Sequence, residues 1–477
     1  MKINISKVSN VNDKYSIIYI SENPAKLKKE NFKPNELEYI NNQFENKKKG
    51  AIINSYPVWK YILWIDTEKE QHIAKEHLRR SAGDLYSNLK ENKHPAIILK
   101  DLSSNAEYAL AFAEGLALSH YQFIKYFSEP EDKKNYLQEI FILNTEIEDE
   151  QILELNILVD SVYKTKNLVN EPVSFLNAEQ LSLEIQNMGL NGGFEVEVFN
   201  KAKIKSLKMG GLLAVNKGSV DPPTFNILTW KPQDAVNKKP YILVGKGVVY
   251  DTGGMNIKTG NYLDTMKSDM AGAAAVAGTL YAIAQAQIPV YVIGLIPATD
   301  NRLNANAYVP DDIITMYSGS TVEIKNTDAE GRLILADALS FAKKYDPKLV
   351  IDLATLTGSA HLAIGDLGIV AMSNVKDDLF EQLKVSGNNM YERIVEFPLW
   401  DEYGEMLKSD VADIKNLGAR EAGAITAGKF LEHFTDYSWI HLDIAGCAFL
   451  TKKDNYRGIG ATAVGVRLLF DFFNNQL

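Results

Sequence analysis

Four acidic residues are the first candidates for chemistry, because they stand at the ends of strand-like or helical segments in the C-terminal half. Asp251 follows a strand-like run, and Asp269 precedes an Ala/Gly-rich helical pattern. Asp328 and Glu330 follow a second strand-like run. In an open α/β sheet, ligands gather beyond the carboxyl ends of the strands, so we expect the four acids to converge. Converged carboxylates raise one another's pKa values unless cations offset them, and two divalent metal ions about 3.5–4 Å apart would do so.

Each acid taken singly also has an ordinary structural interpretation. Asp269 would serve as a helix cap, Asp328 as a turn former and Glu330 as a residue of a first helical turn. One at a time, these interpretations are as good as the functional one. Because two lysines and an arginine share the same segments, the four acids together favour a metal site.

Other catalytic signatures are missing from the sequence. The seven histidines form no HExxH motif, and no GxSxG motif exists. Cys447 is the single cysteine, which excludes an intramolecular disulfide and a multi-cysteine metal site. Gly245-Lys246-Gly247 fails the dinucleotide and phosphate-loop patterns, since Tyr250 and Pro240 stand where glycines belong. A phosphoryl-transfer enzyme with a two-metal site would need such a phosphate-binding loop, so this alternative is not favoured.

Composition sets the class of protein. The chain has 477 residues, of which 46% are hydrophobic and 23% are charged, which is ordinary for a globular protein of two or three domains. No apolar stretch approaches the roughly 18 residues of a membrane span, and the N-terminal residues lack the apolar run of a secretory signal. A net charge of −10 does not support nucleic-acid binding. We therefore expect a cytoplasmic protein without a membrane partner, and the sequence gives no support for a nucleic acid as partner.

The alternation of strand and helix patterns predicts an α/β protein with two domains. We expect a smaller N-terminal α/β domain over residues 1–150, a helical linker over 151–170, and a larger α/β catalytic domain over 171–477 with a mixed central sheet flanked by helices. The predicted N-terminal strands are Tyr15–Ile20, Tyr61–Ile65, Pro95–Leu99 and Glu139–Leu143, with helices at Glu68–Glu91 and Ala106–Phe127. The predicted C-terminal strands are Tyr241–Val244, Val290–Ile296, Thr321–Lys325 and Leu349–Leu353, with helices at Ala271–Gln285 and Leu333–Tyr345.

The segments around the four acids resemble the leucyl aminopeptidase (cytosol aminopeptidase) family. The octapeptide Asn326–Leu333, of sequence NTDAEGRL, matches the signature of that family and is highly specific. The resemblance extends over roughly the last two thirds of the chain, and its further motifs are residues 244–254, 266–270, 352–358, 423–427, 439–446 and 460–462.

The resemblance implies two divalent metal ions per subunit, Zn²⁺, Mn²⁺ or Mg²⁺, and every ligand position of the family is filled. The tighter site is matched by Lys246, Asp251, Asp269 and Glu330, and the more exchangeable one by Asp251, Asp328 and Glu330. A lysine ligand must be neutral, which requires a large downward shift of its pKa. Two adjacent cations would supply that shift.

The resemblance also implies amide hydrolysis by a water shared between the two metals. Lys258 matches the catalytic residue that stabilises developing negative charge, and Arg332 matches the one that holds a bicarbonate ion as general base. The implied substrates are peptides with a free N-terminus, preferably beginning with leucine or another apolar residue. The positions matched for substrate binding are Met266, Asn326, Ala329, Thr355, Leu356 and Gly358. A homohexamer is expected from the resemblance alone.

A binding or regulatory protein that keeps the fold without the chemistry is the alternative from another class. Loss of a metal ligand or of Lys258 would favour it. The sequence retains Lys258 and all five ligand positions, and therefore favours the enzyme.

Overall fold

The computed structural model describes residues 3–10, 14–66, 68–103, 105–144 and 146–476. The chain divides into two compact units. The first consists of Met1–Asp160 with Lys452–Gly458, and the second of Ser161–Thr451 with Ile459–Leu477. Both units are α/β, as the alternating patterns predict.

The first unit is built on a six-stranded sheet with the order β1-β6-β5-β2-β4-β3. All neighbours in this sheet are parallel except β3 and β4, which form an antiparallel hairpin. The strands are β1 (Asn4–Lys7), β2 (Ser16–Ser21), β3 (Gly50–Ser55), β4 (Val58–Trp64), β5 (Ala96–Asp101) and β6 (Glu139–Leu143). The helices described with it are α1 (Pro34–Glu45), α2 (Gln71–Glu91) and α3 (Glu107–His120).

The four strands predicted in this unit are present, but the second predicted helix is shorter than expected. Helix α3 ends at His120 instead of continuing to Phe127. Tyr121 takes an extended conformation, and the amide of Asn135 donates to the carbonyl of His120 at 3.0 Å. Tertiary contacts therefore end a helix whose apolar pattern continues in the sequence.

A long helix, α4 (Asp149–Asn170), covers the segment predicted as a helical linker. The division between the two units falls within this helix, after Asp160.

The second unit is built on a nine-stranded mixed sheet with the order β16-β15-β18-β14-β9-β11-β8-β7, in which β10 pairs with β11. A separate three-stranded sheet has the order β12-β13-β17. The strands of these two sheets are β7 (Glu195–Phe199), β8 (Thr224–Trp230), β9 (Tyr241–Gly245), β10 (Gly247–Asp251), β11 (Val292–Asn301), β12 (Ile313–Thr315), β13 (Thr321–Glu323), β14 (Leu349–Ala354), β15 (Ile369–Ser373), β16 (Ile394–Glu396), β17 (Ile414–Lys415) and β18 (Trp439–Asp443). Strands β19 (Phe449–Asp454) and β20 (Gly458–Ala461) pair with each other, and residues 452–458 of this pair are counted with the first unit.

The helices of the second unit cover its central sheet and connect its strands. They are α5 (Ala178–Gly192), α6 (Lys201–Ser206), α7 (Gly210–Asn216), α8 (Ala271–Gln285), α9 (Gly331–Ala342), α10 (Gly358–Ile364), α11 (Leu379–Met390), α12 (Glu402–Glu405), α13 (Gly423–Glu432) and α14 (Val466–Asn474).

Helix α8 shows why the central sheet can be so tightly covered. Its Ala/Gly-rich sequence is buried on every side from Ala271 to Ala284, which is typical of a helix enclosed by other elements. A Cβ at Gly272 would lie 2.0 Å from the carbonyl oxygen of Leu353 in β14, so only glycine permits this approach. The predicted bounds of this helix, Ala271–Gln285, are confirmed.

Within the described ranges, the helices are all too short or too polar to cross a membrane.

Candidate active site

The first acid, Asp251, ends strand β10 and is buried. Strand β10 runs parallel to β11 and places Asp251 opposite Asn301. The Asn301 amide and the backbone N–H of Gly253 each donate to Oδ1 of Asp251 at 2.8 Å. These two bonds fix the orientation of the carboxylate and leave Oδ2 for other contacts.

The second and third acids, Asp328 and Glu330, come from the loop that leads into helix α9. One oxygen of each of these acids and one of Asp251 lie within 4.8 Å of one another. Thr327 connects this loop to the loop that follows β10, because its hydroxyl donates to the carbonyl of Gly253 at 2.6 Å. The expected convergence of these three acids is therefore present in the structure.

The fourth acid, Asp269, joins the group through Lys246. The Lys246 ammonium lies 2.7 Å from Oδ1 of Asp269 and 2.9 Å from Oε1 of Glu330. It also donates to the carbonyl of Thr355 at 2.9 Å. A Cβ at Gly331 would lie 2.5 Å from Cε of Lys246, so the glycine of the octapeptide makes room for the lysine.

Lys258 contacts the other side of the acidic group. Its ammonium lies 2.7 Å from Oδ2 of Asp251 and 2.5 Å from Oδ1 of Asp328. The backbone N–H of Lys258 donates to the carbonyl of Thr252 at 2.9 Å, which fixes the base of the side chain. A positive charge is therefore held directly beside two of the candidate ligands.

Burial and mutual repulsion raise the pKa values of three of the acids. Burial raises the pKa of Asp269 to about 7. Burial and then the charge of Glu330 raise the pKa values of Asp251 and Asp328. Burial acts on Glu330 in the same direction, but the ammonium groups of the two lysines outweigh it and lower the pKa of this residue. The site concentrates negative charge that its own cations only partly neutralise.

The two lysines have raised pKa values for the converse reason. Burial alone would lower the pKa of Lys246, but the carboxylates of Asp269 and Glu330 outweigh burial and raise it. The carboxylate of Asp251 has the same effect on the pKa of Lys258. With only the protein's own groups around it, Lys246 is charged, so a neutral lysine ligand depends on added cations.

The residues present fit divalent metal ions. Four acids stand against two lysines, and carboxylate oxygen is a ligand that such cations favour. Oδ2 of Asp269 is buried and lacks a hydrogen-bond partner in the part of the chain that the structure describes. A buried carboxylate oxygen without a donor is costly, and a cation would satisfy it.

Arg332 lies in the first turn of helix α9 and is buried. Its Nη1 donates to the carbonyl of Asn416 at 2.7 Å, and its guanidinium carbon lies 5.9 Å from the ring centre of Phe430. Burial lowers the pKa of Arg332 to about 10, which leaves the group charged at neutral pH. Nε is buried and unpaired with respect to the described residues, so the side chain retains capacity for an anion.

The positions matched for substrate binding fall on three segments of the second unit. Met266 begins the 3₁₀ helix Met266–Met270, which also contains Asp269. The hydroxyl of Thr355 donates to Oδ1 of Asp269 at 2.8 Å, which joins two of these segments directly. Gly358 begins helix α10, and a Cβ built on it would meet nothing within 4 Å.

The remaining positions matched for substrate binding are fixed by hydrogen bonds or by burial. Oδ1 of Asn326 accepts from the N–H of Asp328 at 2.8 Å, and Ala329 is buried in the same loop. The N–H of Leu356 donates to Asp443 at 3.2 Å.

A model of the cytosol aminopeptidase family, catalytic domain, matches residues 163–470. That match spans well over half of the chain and contains every candidate site residue. The chain belongs to the cytosol aminopeptidase family. It is therefore an aminopeptidase by class, a hydrolase that acts on peptides.

Relatives and solved structures agree with this family. A probable cytosol aminopeptidase of Chlorobium limicola is 47% identical over 386 residues, which cover 77% of this chain and 75% of the relative. A mutant of tomato leucine aminopeptidase has a similar structure, with a TM-score of 0.86 at 27% identity over 99% of this chain and 97% of that one. The bottromycin maturation enzyme BotP, solved in complex with Mn, has a TM-score of 0.83 at 26% identity over 97% of this chain and 99% of that one.

The sequence did not predict the residues that orient the acidic side chains and their loops. Asn301 and Thr327 orient Asp251 and its loop, and Tyr308 donates to the carbonyl of Thr327 at 2.7 Å. Asp443 and Asn416 bond to loops of the site from distant parts of the chain. Asp443 lies within residues 439–446, one of the motifs that resemble the family, so the sequence pointed to its segment. Asn416 lies outside all of these motifs.

Proposed function

We propose that this chain is a metal-dependent aminopeptidase that releases N-terminal amino acids, preferably leucine or other apolar residues, from peptides. The observation that carries the proposal is the convergence of Asp251, Asp328 and Glu330 within 4.8 Å, with Lys258 in contact with two of them. Membership of the cytosol aminopeptidase family supports the reaction class.

Two divalent cations, Zn²⁺, Mn²⁺ or Mg²⁺, belong to this proposal. Lys246, Asp251, Asp269 and Glu330 would hold the first, and Asp251, Asp328 and Glu330 the second. When bound, such ions polarise a carbonyl group and lower the pKa of water. The unpartnered Oδ2 of Asp269 supports the first site, and the Mn complex of BotP supports the kind of metal.

Lys258 is the proposed stabiliser of developing negative charge. Its ammonium is already oriented by Asp251 and Asp328, and its raised pKa keeps it charged at neutral pH. A fixed positive charge beside a reacting carbonyl lowers the barrier, because it interacts more strongly with the oxyanion than with the neutral group.

Arg332 is the proposed holder of a bicarbonate ion, whose chemistry is that of a general base. The side chain is buried and charged, and its Nε has bonding capacity left. No histidine belongs to the described acidic group, and its carboxylates are the proposed metal ligands, so we assign the general base to another group. A small anion held by Arg332 meets that need.

The specificity for a free N-terminus follows from the same arrangement. An α-amine would bind beside Asp269 and the carbonyl of Thr355, which already accept from Lys246. An acylated amine has neither the lone pair nor the charge for this position. The substrate side chain would lie among Met266, Thr355, Gly358 and Ala329, and apolar or small residues of this kind favour an apolar occupant. Asn326 and Leu356 would contact the substrate backbone.

Assembly and location complete the proposal. We expect a homohexamer in the cytoplasm, acting on peptides. Gel filtration coupled to light scattering tests the assembly, and a mass near the 53.2 kDa of one chain would contradict it.

The decisive experiment compares leucine p-nitroanilide with its N-acetylated form, with Mn²⁺ or Zn²⁺ added and then chelated. We expect hydrolysis of the free amine only, lost on chelation and restored by metal. Asp328→Asn should lose most of this activity, whereas Asp346→Asn, at a surface ion pair with Lys239, should retain it. Hydrolysis of neither compound by the metal-loaded protein would overturn the proposal and favour a binding protein.

A further inference from the structure

Asn416 is a buried residue that no part of the proposed chemistry uses. It follows strand β17, and its backbone N–H donates to the carbonyl of Glu323 at 3.0 Å. The three-stranded sheet β12-β13-β17 therefore fixes its backbone. Its side chain is fully buried, which is unusual for asparagine unless its amide is satisfied by hydrogen bonds.

The side-chain amide of Asn416 holds the start of the acidic loop. Oδ1 accepts from the N–H of Lys325 at 2.7 Å and from the N–H of Asn326 at 3.3 Å. Nδ2 donates to the carbonyl of Asn326 at 2.7 Å. The side-chain amide of Asn416 thus satisfies both polar backbone groups of Asn326. The side chain of Asn326 in turn accepts from the N–H of Asp328 at 2.8 Å.

The backbone carbonyl of Asn416 acts on a different part of the site. It accepts from Nη1 of Arg332 at 2.7 Å in a buried setting. Residues 326 and 416 are 90 positions apart, and residues 332 and 416 are 84 apart, so this is a tertiary arrangement rather than a local turn.

We propose that Asn416 is a positioning residue that couples Arg332 to the loop of Asp328 and Glu330. The inference rests on the proposed function. The side-chain amide of Asn416 holds the start of this loop and its backbone carbonyl holds Arg332, and only Cβ and Cα separate the two groups. A displacement of Asn416 would therefore move the guanidinium and the ligand loop together. Misplacement of catalytic groups by about 1 Å costs roughly 100-fold in rate.

Two substitutions separate the parts of this arrangement. Asn416→Ala removes all three side-chain bonds and leaves the N–H and C=O groups of the loop unsatisfied. Asn416→Asp keeps the shape and the accepting oxygen, but it places an oxygen where Nδ2 donates to Asn326. Both variants should release the loop, and Asn416→Asp does so with little change in volume.

Asn374 provides a matched control. Its Nδ2 donates to the carbonyl of Tyr437 at 3.1 Å, and its Oδ1 accepts from the N–H of Trp439 at 2.7 Å. It therefore makes the same kind of two-sided backbone contact, but at the start of β18, whereas Asp443 lies at the other end of that strand. Asn374→Ala should cost stability without displacing the site.

The test measures kcat and KM for leucine p-nitroanilide, the stoichiometry and affinity of Mn²⁺ binding, and Tm, on full-length protein. For both Asn416 variants we expect kcat to fall about 100-fold and Mn²⁺ binding to weaken for the second equivalent, with a rise in KM because Asn326 is released as well. Asn374→Ala should lower Tm and leave kcat and Mn²⁺ binding near wild type.

The outcomes separate the two proposals. An inactive metal-loaded wild type overturns the proposed function, and this inference with it. An active wild type with kcat of Asn416→Asp within about threefold of Asn374→Ala overturns this inference alone. If Asn416→Ala does not fold, Asn416→Asp decides the matter.

Discussion

The carboxylate of Asp443 accepts a hydrogen bond from the hydroxyl of Thr357 at 2.7 Å. The same carboxylate accepts from the backbone N–H of Leu356 at 3.2 Å and of Ala445 at 3.1 Å. Asp443 is buried at the end of β18, and these donors belong largely to the segment that follows β14. It thereby fixes the chain at Leu356 and directly after it, next to the proposed contacts of Thr355 and Leu356 with substrate.

Asp443→Ala should weaken substrate binding as well as stability. Three donors would lose their acceptor, and the buried hydroxyl of Thr357 alone would cost about 1–3 kcal/mol if it finds no replacement. We expect a lower Tm and a rise of about tenfold in KM for leucine p-nitroanilide, which corresponds to about 1.4 kcal/mol. Asp337→Ala is the control, since Asp337 is also buried and accepts from the backbone of Leu212 and Tyr317. If both variants raise KM equally, Asp443 has no special effect on the site.

Lys258→Ala should abolish most catalysis without emptying the metal sites. Loss of one donor to a developing oxyanion costs about 100- to 1,000-fold in kcat. Because Lys258 neutralises Asp251 and Asp328, its removal leaves more negative charge, so Mn²⁺ binding should be retained or tightened. Equilibrium dialysis with Mn²⁺ and steady-state kinetics check the two parts, with Lys239→Ala as the surface control. Loss of Mn²⁺ binding in Lys258→Ala would point to an indirect structural effect instead.

The acidic residues of the site were predictable from sequence because two of them lie in one contiguous octapeptide. The bounds of helix α8, Ala271–Gln285, were also predicted to the residue, since the Ala/Gly-rich helical pattern in the sequence coincides with the helix. The sheet argument that brought the acids together was only partly right. Strand β13, predicted as Thr321–Lys325, belongs to a separate three-stranded sheet, and Asp251 ends β10, which is distinct from β9.

The rest of the site depends on bonds between distant positions. The Thr327 hydroxyl reaches the carbonyl of Gly253 across 74 positions, and Asp443 reaches Leu356 across 87. Such pairs leave no periodic or local pattern, because each partner is an ordinary polar residue in its own segment. Family resemblance located the acids and the lysines, but it gave no role to the residues that orient them.

Gly358→Ala should change specificity and leave the fold intact. Gly358 begins helix α10, its φ is not in the left-handed region, and an added Cβ meets nothing within 4 Å. If this open space is the proposed side-chain pocket, the methyl group will reduce it. We expect kcat/KM for leucine p-nitroanilide to fall relative to alanine p-nitroanilide, with Tm unchanged. Gly404→Ala, where a Cβ makes ordinary contact with Lys429, is the control and should not alter the ratio. An unchanged ratio in Gly358→Ala would place the pocket elsewhere.

Stability of the first unit should depend on pH through His120. Burial lowers the pKa of His120 to about 4, and Tyr86 OH lies 3.0 Å from its Nδ1. In the unfolded chain the pKa is about 6.5, so between pH 6.5 and 4 the unfolded state binds a proton that the native state does not. The free energy of unfolding therefore falls as pH falls through this window, by about 3 kcal/mol in total from this residue.

His120→Gln should remove most of this acid dependence, whatever its stability at neutral pH. The measurement is the urea midpoint of unfolding between pH 7 and 4, followed by the ¹⁹F NMR signals of fluorotryptophan at Trp59 and Trp64, which are distinguished from those of the three tryptophans in the second unit. His72→Gln, at a partly exposed position of helix α2, should retain the wild-type slope. Native His120 accepts no proton in this window because protonation would place a positive charge on a buried ring. Equal slopes in wild type and His120→Gln would show instead that His120 is protonated in the folded protein.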